Sequence, residues 1–313
     1  MYLKNFIDFR KGWEMSIILL SILLFNSLSC WIFRRLIWRG KANIKIPSKP
    51  TAYGRKNSMV VMLPGLFAGP ELYFHRLDHI ARKAKRADYA VLVEYSNFGW
   101  SSKTTARQLK KLFRKTDCRD IEVYTISVGD KVVRQIEEVY IKDIFAINPC
   151  TSPMCLHYEH QKILPAAARL MRTLCLATGW ISVLPIINLG HSKFIPGYPS
   201  DDELDKRFGG LRISPALFAD ELWEISINND IVPTMAYKTS IILSDKDTIV
   251  DGVAVMRCFD PRNITVAPKA ALLIQATHAA TYDDKYFARY NKALYELDVR
   301  EKHQKDYIRR LLN

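Results

Sequence analysis

The sequence predicts an α/β protein: a mostly parallel β-sheet with helices on both faces and an inserted helical cap. Three observations carry this. Short apolar, β-branched runs recur at 58–63 (SMVVML), 88–95 (DYAVLVEY), 121–126 (IEVYTI), 143–148 (DIFAIN), 239–243 (TSIIL) and 270–275 (AALLIQ). Each reads as a strand buried on both faces. Helical segments alternate with them at 72–85, 103–114, 131–139 and 253–259, the rhythm of parallel crossovers, and 280–312 closes the chain as a helix. Third, the rhythm breaks at 150–235. Residues 164–176 are apolar at helical spacing, 191–212 are loop-like, and 215–227 turn helical again. The apolar run 178–189 is short for a membrane span and broken by Pro185, so it reads as a cap helix over a cleft.

The chain has 313 residues, 49% hydrophobic and 25% charged, enough for a large core in one domain with an insertion or in two small ones. Its net charge of +14 fits nucleic acid or an anionic membrane surface. No nucleic-acid module, glycine-rich phosphate loop or basic-aromatic repeat is present, which argues against nucleic acid. The six cysteines, Cys30, Cys118, Cys150, Cys155, Cys175 and Cys258, lack paired C-x-x-C spacing. They suggest free thiols in a reducing compartment rather than a zinc site or a disulfide framework. Neither metal nor cofactor is expected.

Residues 15–33 carry no charge over nineteen positions, long enough to cross a bilayer. The run is too long for a signal peptide and has no small-residue cleavage site, so it reads as an uncleaved single-pass anchor. Lys4, Arg10 and Lys11 precede it; Arg34, Arg35, Arg39, Lys41, Lys45 and Lys49 follow. The heavier basic flank predicts a globular part on the cytoplasmic side. The expected organisation is a flank (1–14), an anchor (15–33), a basic tether (34–56), a first core part (57–149), a cap (150–235) and a second core part (236–313).

The stretch Asp120–Asp130 (DIEVYTISVGD) runs from strand through Ser127 into a helix-like segment. A serine on a tight strand-to-helix turn is lifted above the strand end, and its neighbours must be small there. Gly129 meets that need and Thr125 partly does. An ordinary Ser-Val-Gly turn fits the same stretch. Further on, Asp247 and His278 also fall at strand ends. Acyl transfer needs a nucleophile, a base and a carboxylate to orient the base.

The chain order Ser127, Asp247, His278 resembles that of the α/β-hydrolase superfamily, over about residues 57–149 and 236–290. Pro64-Gly65-Leu66 looks like that family's turn after its third strand, and Asn97-Phe98-Gly99-Trp100-Ser101 like the loop after the next. Ser244-Asp245-Lys246-Asp247 matches the acid loop, with Asp247 as the acid and Asp245 as its rival. Pro64 stands where histidine is common; Thr125 and Ala279 stand where glycine is. The resemblance implies an oxyanion hole from the backbone N–H groups of Val128 and Leu66, Phe67 being a near rival to Leu66. Phe67, Phe98 and Trp100 are candidates for the substrate pocket or for plain core. The His157-Tyr158-Glu159-His160 stretch lacks a third metal ligand and reads as surface. The expected function is a membrane-anchored serine hydrolase acting on a small-molecule or lipid acyl ester. A non-catalytic binding protein or an acyltransferase on the same fold are the alternatives.

Overall fold

A computed structural model describes residues 2–45, 58–65, 89–116, 118–136, 139–188, 212–227, 239–244, 247–258 and 270–274. Its centre is a seven-stranded sheet in the order β1-β3-β2-β4-β5-β8-β9. The strands are β1 (Asn43–Lys45), β2 (Ser58–Leu63), β3 (Tyr89–Glu94), β4 (Asp120–Ile126), β5 (Asp143–Ile147), β8 (Thr239–Ser244) and β9 (Ala270–Ile274). All neighbours pair in parallel except β1, which runs antiparallel to β3. Every β2 residue is buried, because a parallel strand covered on both faces has no wet side.

The helices, in chain order, are α1 (Tyr2–Ile32), α2 (Ser102–Thr116), α3 (Gly129–Val133), α4 (Tyr158–Thr178), α5 (Pro215–Ser226) and α6 (Gly252–Cys258). On α2 the buried residues Ser102, Thr105, Ala106, Leu109 and Phe113 recur at three- and four-residue steps, the stripe of a helix lying on a sheet. Helix α5 starts at a clear stop-start signal: the Ser214 hydroxyl caps the Leu217 N–H at 3.0 Å, and Pro215 takes the first turn, where its missing N–H costs nothing.

Three expectations need correction. The segment read as a tether contains β1, and the π-helical turn Phe33–Trp38 carries α1 straight onto the domain. There the Trp38 Nε1 donates to the Gly99 carbonyl at 3.0 Å, and Arg34 Nε to that of Phe98 at 2.9 Å. Over its described residues, 178–188, the run 178–189 is not one continuous cap helix. It forms a 3₁₀ turn, Gly179–Val183, and then β6 (Ile187–Asn188), paired with β7 (Arg212–Ile213). Gly179 is the reason: it sits at φ +57°, and a Cβ there would come within 2.4 Å of the Asn26 side chain. Only glycine lets α1 approach so closely. Of the helix expected over 131–139, the described residues 131–136 continue α3 only to Val133. The helices read at 72–85 and 280–312 lie outside the described residues.

Among the described residues one helix, Glu14–Trp38, is long and apolar enough to cross a membrane. It is seated against the cap by a polar stripe. Asn26 Nδ2 and Ser27 Oγ donate to the carbonyls of Thr178 and Ala177, and Trp180 Nε1 donates to Ser29 Oγ. All six cysteines are free. The close thiol pair is Cys155–Cys258, with sulfurs 3.6 Å apart, tying the cap's first turn to α6.

Candidate active site

The centre of the site is the turn where β4 becomes α3. Ser127 sits there at φ +50°, a conformation that residues carrying a side chain rarely hold. The turn is pinned on both sides. The Ser127 N–H donates to the Ile147 carbonyl of β5 at 2.9 Å, and the Ser127 carbonyl accepts from Asp130 (3.2 Å) and Cys150 (3.0 Å). Gly129 explains the sequence: a Cβ there would lie 2.5 Å from the Leu63 carbonyl oxygen and 2.7 Å from that of Pro64. The first turn of α3 therefore presses on the end of β2. That contact brings the Pro64-Gly65 turn to the serine.

Thr125 stands one step inside this turn. It is fully buried, and its hydroxyl donates to Asp130 Oδ1 at 3.1 Å. Asp130 in turn pairs with Arg134 at 3.1 Å. A buried hydroxyl with a charged acceptor is satisfied, so threonine is tolerated in a tight place. Lys131 on α3 is buried too. Its ammonium donates to the Ile227 carbonyl (2.9 Å) and to that of Glu224, tying the end of α5 to the serine turn. Burial pushes this ammonium below its usual pKa, against the pull of Glu224.

Asp247 follows β8 in a tightly held loop. Its Oδ1 accepts from the N–H groups of Ile249 and Val250, each at 2.8 Å. Cys150 follows β5 beside the serine turn: its N–H donates to the Ser127 carbonyl, and burial pushes its thiol well above the usual pKa. The Asp247 loop also has two supports, both expected from the sequence to be plain surface. His157 Nε2 donates to the Asp247 carbonyl at 3.0 Å, and His160 Nε2 to that of Thr248 at 3.1 Å. Their i, i+3 spacing at the start of α4 was the available signal; only the fold reveals what they hold.

His278, Leu66, Phe67 and Asp245 lie outside the described residues. Val128 is described, with helical angles at the start of α3, where its N–H belongs to a helix N-terminus. Trp100 is core: it is 2% exposed, stacks on Tyr95 at 4.2 Å and donates to Thr105 at 2.9 Å. Phe98 joins a ring cluster with Phe33 and Trp38 at the end of α1. Both line a cavity between α1 and the cap, and Ser127 is not among its walls.

No protein-family model and no curated protein matches the sequence. Solved structures do. An esterase from Exiguobacterium antarcticum superposes with a TM-score of 0.59 at 12% identity, covering 82% of this chain and 96% of that one. The enol-lactonase of Burkholderia xenovorans gives 0.56 at 10%, covering 83% and 97%. A soluble variant of the Saccharomyces cerevisiae monoglyceride lipase, bound to a substrate analogue, gives 0.55 at 17%, covering 82% and 92%. Likeness at these identities speaks to architecture. This chain has the α/β-hydrolase fold, as the order of its strands and motifs led one to expect.

Proposed function

We propose that this protein is a membrane-anchored serine hydrolase that cleaves an ester or related acyl bond. The observation that carries the reading is Ser127 at positive φ on a strand-to-helix turn, with Gly129 forced against the carbonyls of β2. A serine held so has its hydroxyl raised over the strand end. The fold neighbours described as an esterase, a lipase and a lactonase support the same class.

In this reading His278 takes the proton from Ser127 Oγ as the oxygen attacks the acyl carbon. Asp247 holds the imidazole in the right tautomer and stabilises its charge. The N–H groups of Val128 and Leu66 receive the oxyanion, each donor contributing about 3 kcal/mol to the transition state. His278 then protonates the departing alcohol, leaving an acyl-enzyme that water hydrolyses by the same route. The exposed apolar length of α1 and its heavier basic C-terminal flank support an anchor with the globular part on the cytoplasmic side.

The test is a small fluorophosphonate probe on full-length protein in detergent. Wild type should label at Ser127, with labelling falling as pH drops through about 6–7, the range of an ordinary imidazole. Ser127→Ala should abolish the label and His278→Ala nearly so, both variants remaining folded. Folded wild type without labelling or short-chain ester turnover would replace this reading with a non-catalytic binding protein. Product analysis separates hydrolysis from acyl transfer.

A further inference from the structure

Where α1 leaves its apolar run and meets the cap, a cavity of about 860 Å³ opens. Its walls come from the end of α1, the loop after β3, α4 and α5. Among the described residues of the candidate active site, neither Ser127 nor Asp247 lines it. Five arginines line it: Arg34 and Arg35 from the π-helical turn that follows α1, Arg39 just after that turn, and Arg169 and Arg172 from α4. Against them stand two carboxylates, Asp220 and Glu224, which leaves three positive charges in excess.

Both carboxylates are engaged. Asp220 pairs with Arg34 at 2.8 Å and Arg172 at 3.6 Å, and accepts from the Trp100 N–H at 3.2 Å. Burial pushes its carboxyl up, and the two arginines pull it back. Glu224 accepts from the Ser102 hydroxyl at 2.6 Å. Among the described residues Arg35 and Arg169 have no ion-pair partner, and the Arg39 Nε donates to a carbonyl of its own turn, that of Leu36, at 2.8 Å. All three are exposed residues on the cavity wall, and their guanidinium groups are planar forks, the shape that matches phosphate oxygens.

We propose that this cavity binds the phosphate head group of an anionic phospholipid, held by Arg35, Arg39 and Arg169. A free phosphate ester offers the same chemistry; the position of the cavity decides for the lipid. Ser27, Cys30 and Trp31, on its wall, lie inside the apolar run of α1. A ligand seated there has its tail beside a lipid-facing helix and its head among arginines at the level where the span ends. Trp31 and Trp223, the latter under Arg172 at 4.6 Å, are the residue type that favours the head-group layer. The proposal rests on α1 as a membrane span, and its test is made in detergent, so it reads the site whether or not α1 crosses a bilayer. Carbonate extraction of native membranes reports on the span separately.

Full-length protein in neutral detergent is titrated with dioctanoyl phosphatidic acid, dioctanoyl phosphatidylcholine and glycerol 3-phosphate, following tryptophan fluorescence. Phosphatidic acid should bind at least about tenfold tighter than either of the others, as a doubly engaged guanidinium pair requires. The Arg35→Gln/Arg169→Gln variant should lose at least about tenfold in phosphatidic acid affinity and nothing in that for phosphatidylcholine. Equal binding of the two lipids, or an unchanged double variant, overturns the site. Equal binding of phosphatidic acid and glycerol 3-phosphate overturns the lipid assignment in favour of a soluble phosphate ester. Should the double variant fail to melt cooperatively, Arg35→Lys/Arg169→Lys carries the test. It keeps the charge and loses the fork, and should still bind phosphatidic acid severalfold more weakly; affinity equal to wild type then refutes recognition by the fork.

Discussion

The sheet and the α1–cap unit are built from the same aliphatic residues and treat them in opposite ways. In β2, Met59, Val60, Val61 and Leu63 are fully buried. On α1, Leu24 is 62% and Phe25 73% exposed, and Leu170 of α4 and Leu184 after the 3₁₀ turn are at 61% and 51%. A fully buried side chain of this kind contributes about 1.5–3 kcal/mol. The sheet collects that from water and becomes rigid enough to hold a strained serine turn. The other region leaves its apolar side chains uncovered and satisfies its polar ones, Asn26, Ser27 and Ser29, against backbone and Trp180. That is the packing expected of the proposed membrane anchor, in which polar groups join helices and aliphatic ones face outward.

The strongest way to test this division strikes the chemistry proposed for the sheet. Asp247→Asn should lower turnover by about 10⁴, because the base loses its tautomer and partner, while Asp245→Asn should cost little. Short-chain ester kinetics on the two variants decide it; equal losses or the reverse order move the acid to Asp245. Next comes a matched pair of truncations. Leu63→Ala should cost about 2–5 kcal/mol, since it opens a cavity in a closed core. Leu24→Ala should stay within about 0.5 kcal/mol by melting in detergent. A large loss at Leu24 would mean that its face is covered by protein.

The seam inside the second region, where α1 meets the cap, gives a smaller, two-sided effect. Asn26→Leu removes the bond to Thr178 and the one accepted from the Trp180 N–H. It should cost about 0.6–1.7 kcal/mol of stability, from the average to the largest value for a hydrogen bond between membrane helices. Retention in carbonate-washed membranes should hold or improve, because leucine suits lipid better than asparagine. Loss of retention together with stability would show that the stripe inserts α1 rather than seating the cap on it.

What the sequence disclosed divides along the same line. The strands of the sheet were legible because a strand buried on both faces is a nearly unbroken apolar run, and Ser127-Val128-Gly129 announced its turn by a small residue where two elements collide. Strand β1 was hidden because Asn43-Ile44-Lys45 is short and polar, and pairs with β3 only by distant contact. The run 178–189 was read as a helix because apolar residues do not say whether protein or lipid will cover them; Gly179, pressed on Asn26, settles the shape. The arginines of the cavity looked like a basic flank and scattered helix charges until α1 folded back on α4.

His157 is the sharpest case of what long-range contact adds, and it supplies the smallest predicted effect. Its ring donates to the Asp247 carbonyl at 3.0 Å, not to the carboxylate, so it braces the loop without touching a proton in flight. The loop has other supports in the two backbone N–H groups on Asp247 Oδ1 and in His160. Losing one neutral bond of this kind costs about 0.5–1.5 kcal/mol. His157→Ala should therefore slow ester turnover by about two- to tenfold, with the pH profile of the wild type, and His157→Gln should recover much of it through its amide donor. The profile matters more than the rate. A brace that is lost lowers the plateau and leaves the titrating group in place. If His157→Ala instead removes turnover as fully as His278→Ala is expected to, and abolishes the pH dependence with it, His157 is the base, and the chemistry has been assigned to the wrong histidine.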